Sequence, residues 1–366
     1  MTGERTEVVH DQAPLADRYR DHPALGFIDW NLRGIGQVVF QNNPLSGLII
    51  LLALFFNSWI YGAVCLLGVA AATTTAILLR ADRGLIRDGL FGFNGALVGL
   101  ALVAFTSADF GRGAVPSPHM AAYIVFAAAM TTIVFQALSA LLAPHGVAAL
   151  TGPFVLIGWL FLFGMLKFAA LDAGPLAQPA PPEQYAAAIG YGLPTWYMGI
   201  GNAIGQIFFQ DNWISGYLIA AGIAVNSRIA AGMALIGAAG AALSAAAFGG
   251  AESAIRDGLF GYNAALVAMA LGGVFLVLTW RSFLYALFGV VVSTWLWASV
   301  TIFLAPIGMP PLTSAFVLVT WLMLLGRHGF KALIPVPPAE ATTPEDNRRR
   351  HLAGHPALSS GGSDRR

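Results

Sequence analysis

Residues 36–47 read Gly-Gln-Val-Val-Phe-Gln-Asn-Asn-Pro-Leu-Ser-Gly, and residues 205–216 read Gly-Gln-Ile-Phe-Phe-Gln-Asp-Asn-Trp-Ile-Ser-Gly. Seven of the twelve pairs are identical at an offset of 169 positions. A second block keeps the same offset: Arg87-Asp88-Gly89-Leu90-Phe91-Gly92-Phe93-Asn94 returns as Arg256-Asp257-Gly258-Leu259-Phe260-Gly261-Tyr262-Asn263. A third, Ala143-Pro144 with Thr151 and Phe154, returns as Ala305-Pro306 with Thr313 and Phe316 at an offset of 162, so a connection has shortened between them. One unit is therefore used twice, and duplicated units of this kind commonly enclose a site between the copies.

What the unit folds into follows from its apolar runs. They cover 59–79, 120–142, 147–168, 229–248, 259–278, 283–304 and 312–325 in a chain that is 57% hydrophobic and 10% charged. A soluble domain carries about 25% charged residues, and a hydrocarbon core of roughly 30 Å takes about 20 helical residues. The expectation is an all-α polytopic membrane protein. It has two inverted repeats, each of about five transmembrane helices plus one half-membrane re-entrant helix. The predicted boundaries are a polar leader at 1–22, a first repeat at 23–170, a Pro-rich linker at 171–193, a second repeat at 194–334 and a disordered tail at 335–366. The short element is placed at 34–42 and 202–211, with the region of Gly89–Asn94 as the alternative. Five crossings are an odd number, so the second copy sits upside down relative to the first. The charges agree. Arg18, Arg20, Arg33, Arg80, Arg83 and Arg87 fall on one side with Arg228, Arg281, Arg327 and Lys331, and the exceptions are Arg112, Lys167 and Arg256. The leader has no apolar stretch that would serve as a cleavable signal.

The spacing of reactive side chains excludes several classes of function. The sequence has no phosphate-binding loop, no nucleophile elbow and no His/Cys/Asp/Glu cluster with metal spacing; Cys65 is the single cysteine. No catalytic residue, cofactor, metal or nucleic-acid partner is expected. The apolar runs are nearly free of carboxylates, which coupled transporters use, and this favours passive movement of a neutral solute.

The doubled residues inside the runs are polar without charge: Gln37 and Gln206, Gln41 and Gln210, Asn43 and Asn212, Asn94 and Asn263, Thr132 and Thr294. Unpaired amides in lipid cost a few kcal/mol each, so they need partners or a polar passage. The asparagines read as caps of broken helices; Gln37, Gln206, Thr132 and Thr294 read as passage-lining. Beside them stand Phe40 and Phe209, Phe93 and Tyr262, Val38 and Ile207, Leu97 and Leu266. Rings facing one another make a flat slot for a planar molecule, and oxygens at its edge accept hydrogen bonds from in-plane N–H groups. A hydrated ion finds no replacement there for its shell.

These doubled Leu-Phe-Gly-(Phe/Tyr)-Asn and Gln-x-x-Phe-Gln-x-Asn blocks resemble the urea transporter family, and its bacterial members in particular, from about residue 27 to residue 331. The resemblance implies a channel-like facilitator for urea in the cell inner membrane, assembled as a homotrimer among lipid with one pore per chain. By position it implies one slot of Gln37, Val38, Phe40, Phe93 and Leu97, and another of Gln206, Ile207, Phe209, Tyr262 and Leu266. Thr132 and Thr294 form the middle constriction, with Thr131 as a neighbouring alternative. Some bacterial members carry an acid at the position of Gln206, and Tyr262 stands where a Phe is expected. The alternatives are a channel for ammonia or short amides, and a coupled secondary transporter.

Overall fold

The computed structural model describes residues 25–106, 115–171 and 190–354, together with Asp17 and residues 19–22. These are helical apart from connecting turns and one isolated bridge between Leu276 and Pro335. The first repeat contains α1 (Gly26–Gln37), α2 (Pro44–Asn57), α3 (Trp59–Leu78), α4 (Arg83–Arg87), α5 (Gly92–Ala104), α6 (Pro118–Leu142) and α7 (Gly152–Met165). The second contains α8 (Leu193–Gln206), α9 (Trp213–Asn226), α10 (Arg228–Ala247), α11 (Glu252–Arg256), α12 (Tyr262–Met269), α13 (Trp280–Leu304) and α14 (Ser314–Gly326). A last helix, α15 (Pro344–Leu352), has no counterpart among the described residues.

The duplication extends to the details that start and stop each helix. Asn43 caps α2 by accepting the Leu45 and Ser46 N–H groups, and Asn212 caps α9 through Ile214 and Ser215. Such a cap contributes about 1 kcal/mol. Both helices end at a serine in extended conformation, Ser58 or Ser227, which reverses the chain into α3 or α10. Gly47 and Gly216 lie so close to the backbone of Leu32 and Gly201 that any side chain there would collide with it. Even strained backbone is copied. Phe40 (φ 63) pairs with Phe209 (φ 59), and Leu150 (φ 54) pairs with Leu312 (φ 50). Each costs about 1 kcal/mol or more for a residue with a side chain.

How the halves face each other is read from reciprocal contacts. Asn57, at the C-terminal end of α2, donates to Gln210 Oε1 (2.9 Å) just before α9; Asn226, at the C-terminal end of α9, donates to Gln41 Oε1 (2.9 Å) just before α2. The two helices therefore pack antiparallel. Trp159 donates to Pro310 O (2.8 Å) and Trp321 to Ala148 O (2.9 Å). Each of these two contacts occurs twice with the roles of the halves exchanged, as a two-fold rotation requires. That rotation reverses helix direction, so the repeats are inverted.

Length separates two kinds of helix. α3, α6, α10 and α13 are long and apolar enough to cross a membrane. The apolar helices α2, α5, α7, α9 and α14 have 13 or 14 residues, which at 1.5 Å per residue is roughly 20 Å. The short element expected at 34–42 is the last turn of α1 plus the reversal after it, since the helix begins at Gly26 rather than Gly34. Its alternative, Gly89–Asn94, is the end of the turn after α4 plus the first residues of α5.

One expectation fails at the C-terminal end of the chain. Residues 335–354 are not an unordered tail: Asn347 and Val336 are buried, and α15 packs on the second repeat. A Pro- and Arg-rich composition reads as solvated, and long-range contacts such as those of Asn347 and Glu345 reveal otherwise. The end of the leader is also tied down, by an Arg20–Asp88 ion pair and by Asp17 on Arg33 (2.8 Å). The linker expected at 171–193 falls largely outside the described residues.

Candidate functional site

The site starts from the strained turn that ends α1. Gln41 N–H donates to Gly36 O (2.9 Å) and its side-chain amide to Val39 O (2.7 Å), closing a loop that forces Phe40 into the left-handed region. The second copy repeats this with Gln210 on Gly205 O (3.0 Å) and Phe208 O (2.6 Å), around Phe209. The remaining acceptors of Gln41 and Gln210 take the inter-repeat bonds from Asn226 and Asn57. Each ring is thus presented by a turn fastened to the opposite half.

The rings meet across the repeats. Phe40 lies edge-on to Phe275 (5.7 Å) and Phe316 (6.1 Å), both from the second repeat. Phe209 lies edge-on to Phe105 (5.7 Å) and Phe154 (6.1 Å), both from the first. The sequence reading grouped each slot within one repeat and missed these four partners. The repeat offset marks Phe154 and Phe316 as a doubled pair, but only the two-fold packing places them beside the opposite Phe. Phe93 is not among the ring partners of Phe40. It packs on Phe135 (5.8 Å), while Tyr262 accepts from the indole N–H of Trp297 (3.2 Å) and donates to Leu312 O (2.6 Å). The extra hydroxyl of Tyr262 is thereby occupied by protein. Val38, Ile207, Leu97 and Leu266 are buried beside these groups, whereas Gln37, Phe40, Gln206 and Phe209 keep partial exposure among buried neighbours.

The two glutamines that end α1 and α8 are held alike. Gln37 donates its amide to Asp88 O (2.8 Å), and Gln206 donates to Asp257 O (3.2 Å). This fixes which end of each amide is NH2 and leaves Oε1 as an acceptor that no protein donor takes among the described residues. Asn94 and Asn263 are caps, as the sequence suggested, but of another helix. Their Oδ1 atoms accept the N–H of Phe154 (3.1 Å) and Phe316 (2.8 Å) in the first turns of α7 and α14.

At the seam between the repeats the structure joins a pair of threonines other than Thr132 and Thr294. The hydroxyls of Thr151 and Thr313 are 2.7 Å apart and both side chains are buried. Their mutual bond uses one of two O–H donors, leaving a donor and acceptor lone pairs at the seam between the repeats. Thr132 instead donates to Ala72 O (2.9 Å) and Thr294 to Val290 O (2.9 Å), and no hydrogen bond joins the two. Thr131 also turns to backbone, at Ala128 O (2.7 Å). The signal for the meeting pair was in the third repeated block, where Thr151 and Thr313 share the 162 offset.

The flanking charges differ between the copies. Asp88 pairs with Arg20 and accepts from Asn42 (3.0 Å), while Arg87, its sequence neighbour, pairs with Asp21 (2.9 Å). Arg33 is fully buried, with Asp29 at 2.7 Å and Asn42 Oδ1 at 2.9 Å. In the second copy Asp211 stands at the position of Asn42 and Asn202 at that of Arg33. Partial burial, with the negative charges of Asp211 and Glu252 nearby, pushes the carboxyl of Asp257 above the usual range against the pull of Arg256. Among the described residues no His/Cys/Asp/Glu cluster has metal-holding geometry.

Comparison with known proteins adds to this geometry. The family model described as "Urea transporter" matches residues 28–328. The chain belongs to the urea transporter family. It is 32% identical over 356 residues to urea transporter 1 of Ovis aries, covering 94% of this chain and 89% of that protein, and equally so to urea transporter 1 of Capra hircus. Identity to urea transporter 1 of Rattus norvegicus is 31% over 357 residues. Membership and the apolar helices together make it a multi-pass membrane protein.

Proposed function

We propose that this protein is a passive channel for urea whose permeation route runs between the inverted repeats. The observation that carries the reading is the doubled turn. It sets a partly exposed ring and a glutamine Oε1 acceptor at related places in the two halves, with the Thr151–Thr313 pair between them. Urea is planar and neutral, with N–H donors in its plane. Oε1 of Gln37 or Gln206 accepts one of these, the rings cover an apolar face, and the threonine hydroxyls offer both a donor and acceptors at the middle. The exchange of water for these groups is close to balanced for urea. An ion would pay its dehydration without return. We assign the slots to Gln37, Val38, Phe40, Phe93 and Leu97, and to Gln206, Ile207, Phe209, Tyr262 and Leu266. The cross-repeat rings Phe275, Phe316, Phe105 and Phe154 are added to them. For the middle constriction, Thr151 and Thr313 replace Thr132 and Thr294. No step calls for catalysis or a cofactor.

Resemblance to bacterial members of the family supports an inner-membrane location and a homotrimer with one route per chain. Stopped-flow light scattering of proteoliposomes tests the function. Fast, uncoupled urea flux is expected, and Gln206→Ala is expected to reduce it in a protein that still elutes as the native assembly. Urea permeability no higher than that of protein-free liposomes would overturn the reading.

A further inference from the structure

The last helix makes its contacts where the second repeat departs from regular helix. After α12 the chain passes through a π-helical turn, Ala270–Val274, and breaks at Gly273 (φ 153). Such a break frees backbone carbonyls. Asn347, fully buried, takes two of them: its Nδ2 donates to Gly273 O (2.8 Å) and Val274 O (3.1 Å), while its Oδ1 accepts from Thr342 (2.8 Å). Pro344 rests against Gly273 so closely that a Cβ there would lie 2.5 Å from the proline Cβ. Val336 N–H donates to Phe275 O (2.9 Å), and Val277 N–H donates to Ile334 O (2.9 Å). The backbone of Phe275, whose ring abuts Phe40, is therefore held by residues 334–336.

A second route reaches Phe40 from its other side. Glu345 accepts from Ser227 Oγ (2.6 Å) and Ile229 N (2.9 Å) at the reversal between α9 and α10. The adjacent Asn226 donates to Gln41 Oε1, one residue beyond Phe40, and accepts from Asn43 Nδ2 (3.3 Å). Phe40 occupies a strained backbone conformation, which persists only where its surroundings enforce it. Both braces on that turn run back to the segment 335–352. The turn of Phe209 is fastened by Asn57 alone on the corresponding side, because Ser58, the counterpart of Ser227, makes no side-chain cap bond.

We propose that residues 335–352 form a clamp that positions Phe40 and so sets the width of the first-repeat constriction, making this segment a specificity determinant of the route. Its bearing on permeation rests on the channel reading above; its mechanical part does not. The experiment compares full-length protein with Glu345→Gln, Asn347→Ala and a deletion of residues 335–366 by two readouts. In proteoliposomes the ratio of urea to N-methylurea permeability is expected to fall about threefold or more in all three. It is expected to stay at the native value in Arg348→Ala, an exposed residue of the same helix. By hydrogen exchange, the amides of residues 38–41 are expected to open about tenfold more readily in Asn347→Ala, as the loss of a buried hydrogen bond implies, while those of 207–210 stay protected. Glu345→Gln guards against a fold defect in the other variants. If native protein passes no urea, the channel reading fails and the exchange result still decides the clamp. Unchanged exchange at 38–41 in folded Asn347→Ala overturns the clamp, and unchanged permeability ratios in folded Asn347→Ala and Glu345→Gln overturn its role in specificity.

Discussion

The two copies of the repeat agree where they meet and differ where they face outward. The strained Phe turns, the Gln41 and Gln210 fasteners, the amide bonds of Gln37 and Gln206 and the edge-on ring contacts all occur twice. The charges around them do not. The first copy has a buried Arg33 with acidic partners and an Arg20–Asp88 pair; the second has Asn202 and three neighbouring acids, Asp211, Glu252 and Asp257. Features needed by a solute that passes both halves must be present in both. Features that set which side faces the cytoplasm need appear only once, and must not be copied in an inverted unit. The comparison thus sorts residues into those of the route and those of anchoring.

The largest expected effect separates the anchors. Asp29→Ala leaves Arg33 buried without its nearest partner and is expected to cost about 3–5 kcal/mol of stability. Asn202→Leu, at the second-copy position of Arg33, removes a single bond to Arg256 O (2.8 Å) and is expected to cost only about 1 kcal/mol. Thermal unfolding of the purified protein checks both, and equal losses would remove the distinction.

Route residues are expected to behave symmetrically instead. Thr151→Val and Thr313→Val each delete one hydroxyl of the central pair. Each is expected to lower urea flux about tenfold, equivalent to one buried hydrogen bond. Thr294→Val, which loses only a bond within its own helix, is expected to change flux little. A larger effect at Thr294 than at Thr313, in the same proteoliposome assay, would restore the threonine pair first read from sequence.

The smallest effect is a difference of sign at the two outer carboxylates. Asp257 holds its proton more tightly in the folded protein than in the unfolded chain, chiefly through desolvation and then the charge of Asp211. It therefore favours folding at acid pH, and that contribution is lost as pH rises from the ordinary aspartate range through its raised folded value. Asp257→Asn is expected to raise the melting temperature slightly at neutral pH and to flatten its pH dependence. Asp88→Asn, which breaks the pair with Arg20, is expected to lower it.

Much of this was legible in the sequence because duplication is a local signal. Matching blocks gave the duplicated unit, the Asn43 and Asn212 caps, and the glutamines and rings of the turns. What stayed hidden depends on the two-fold operator or on distant contacts. Nothing in the spacing of Phe40 and Phe93 shows that Phe40 meets Phe275 and Phe316 of the other repeat. Thr151 and Thr313 carried the right offset, yet only the antiparallel packing brings their hydroxyls to 2.7 Å. Residues 335–352 looked like solvated chain because their order comes from one buried amide, Asn347, and one carboxylate, Glu345, reaching residues more than 70 positions away. Asp88 is bound by Arg20 rather than by its sequence neighbour Arg87, a pairing that sequence distance conceals.

The central claim is that the two glutamine-and-ring constrictions lie in series on one route. Cysteine modification tests it directly, because the native Cys65 is single and buried. Gln37→Cys and Gln206→Cys, each labelled with a bulky methanethiosulfonate in proteoliposomes, are predicted to lose nearly all urea flux singly. A large flux surviving the block of either one would mean separate routes or none at these residues, and would contradict the account.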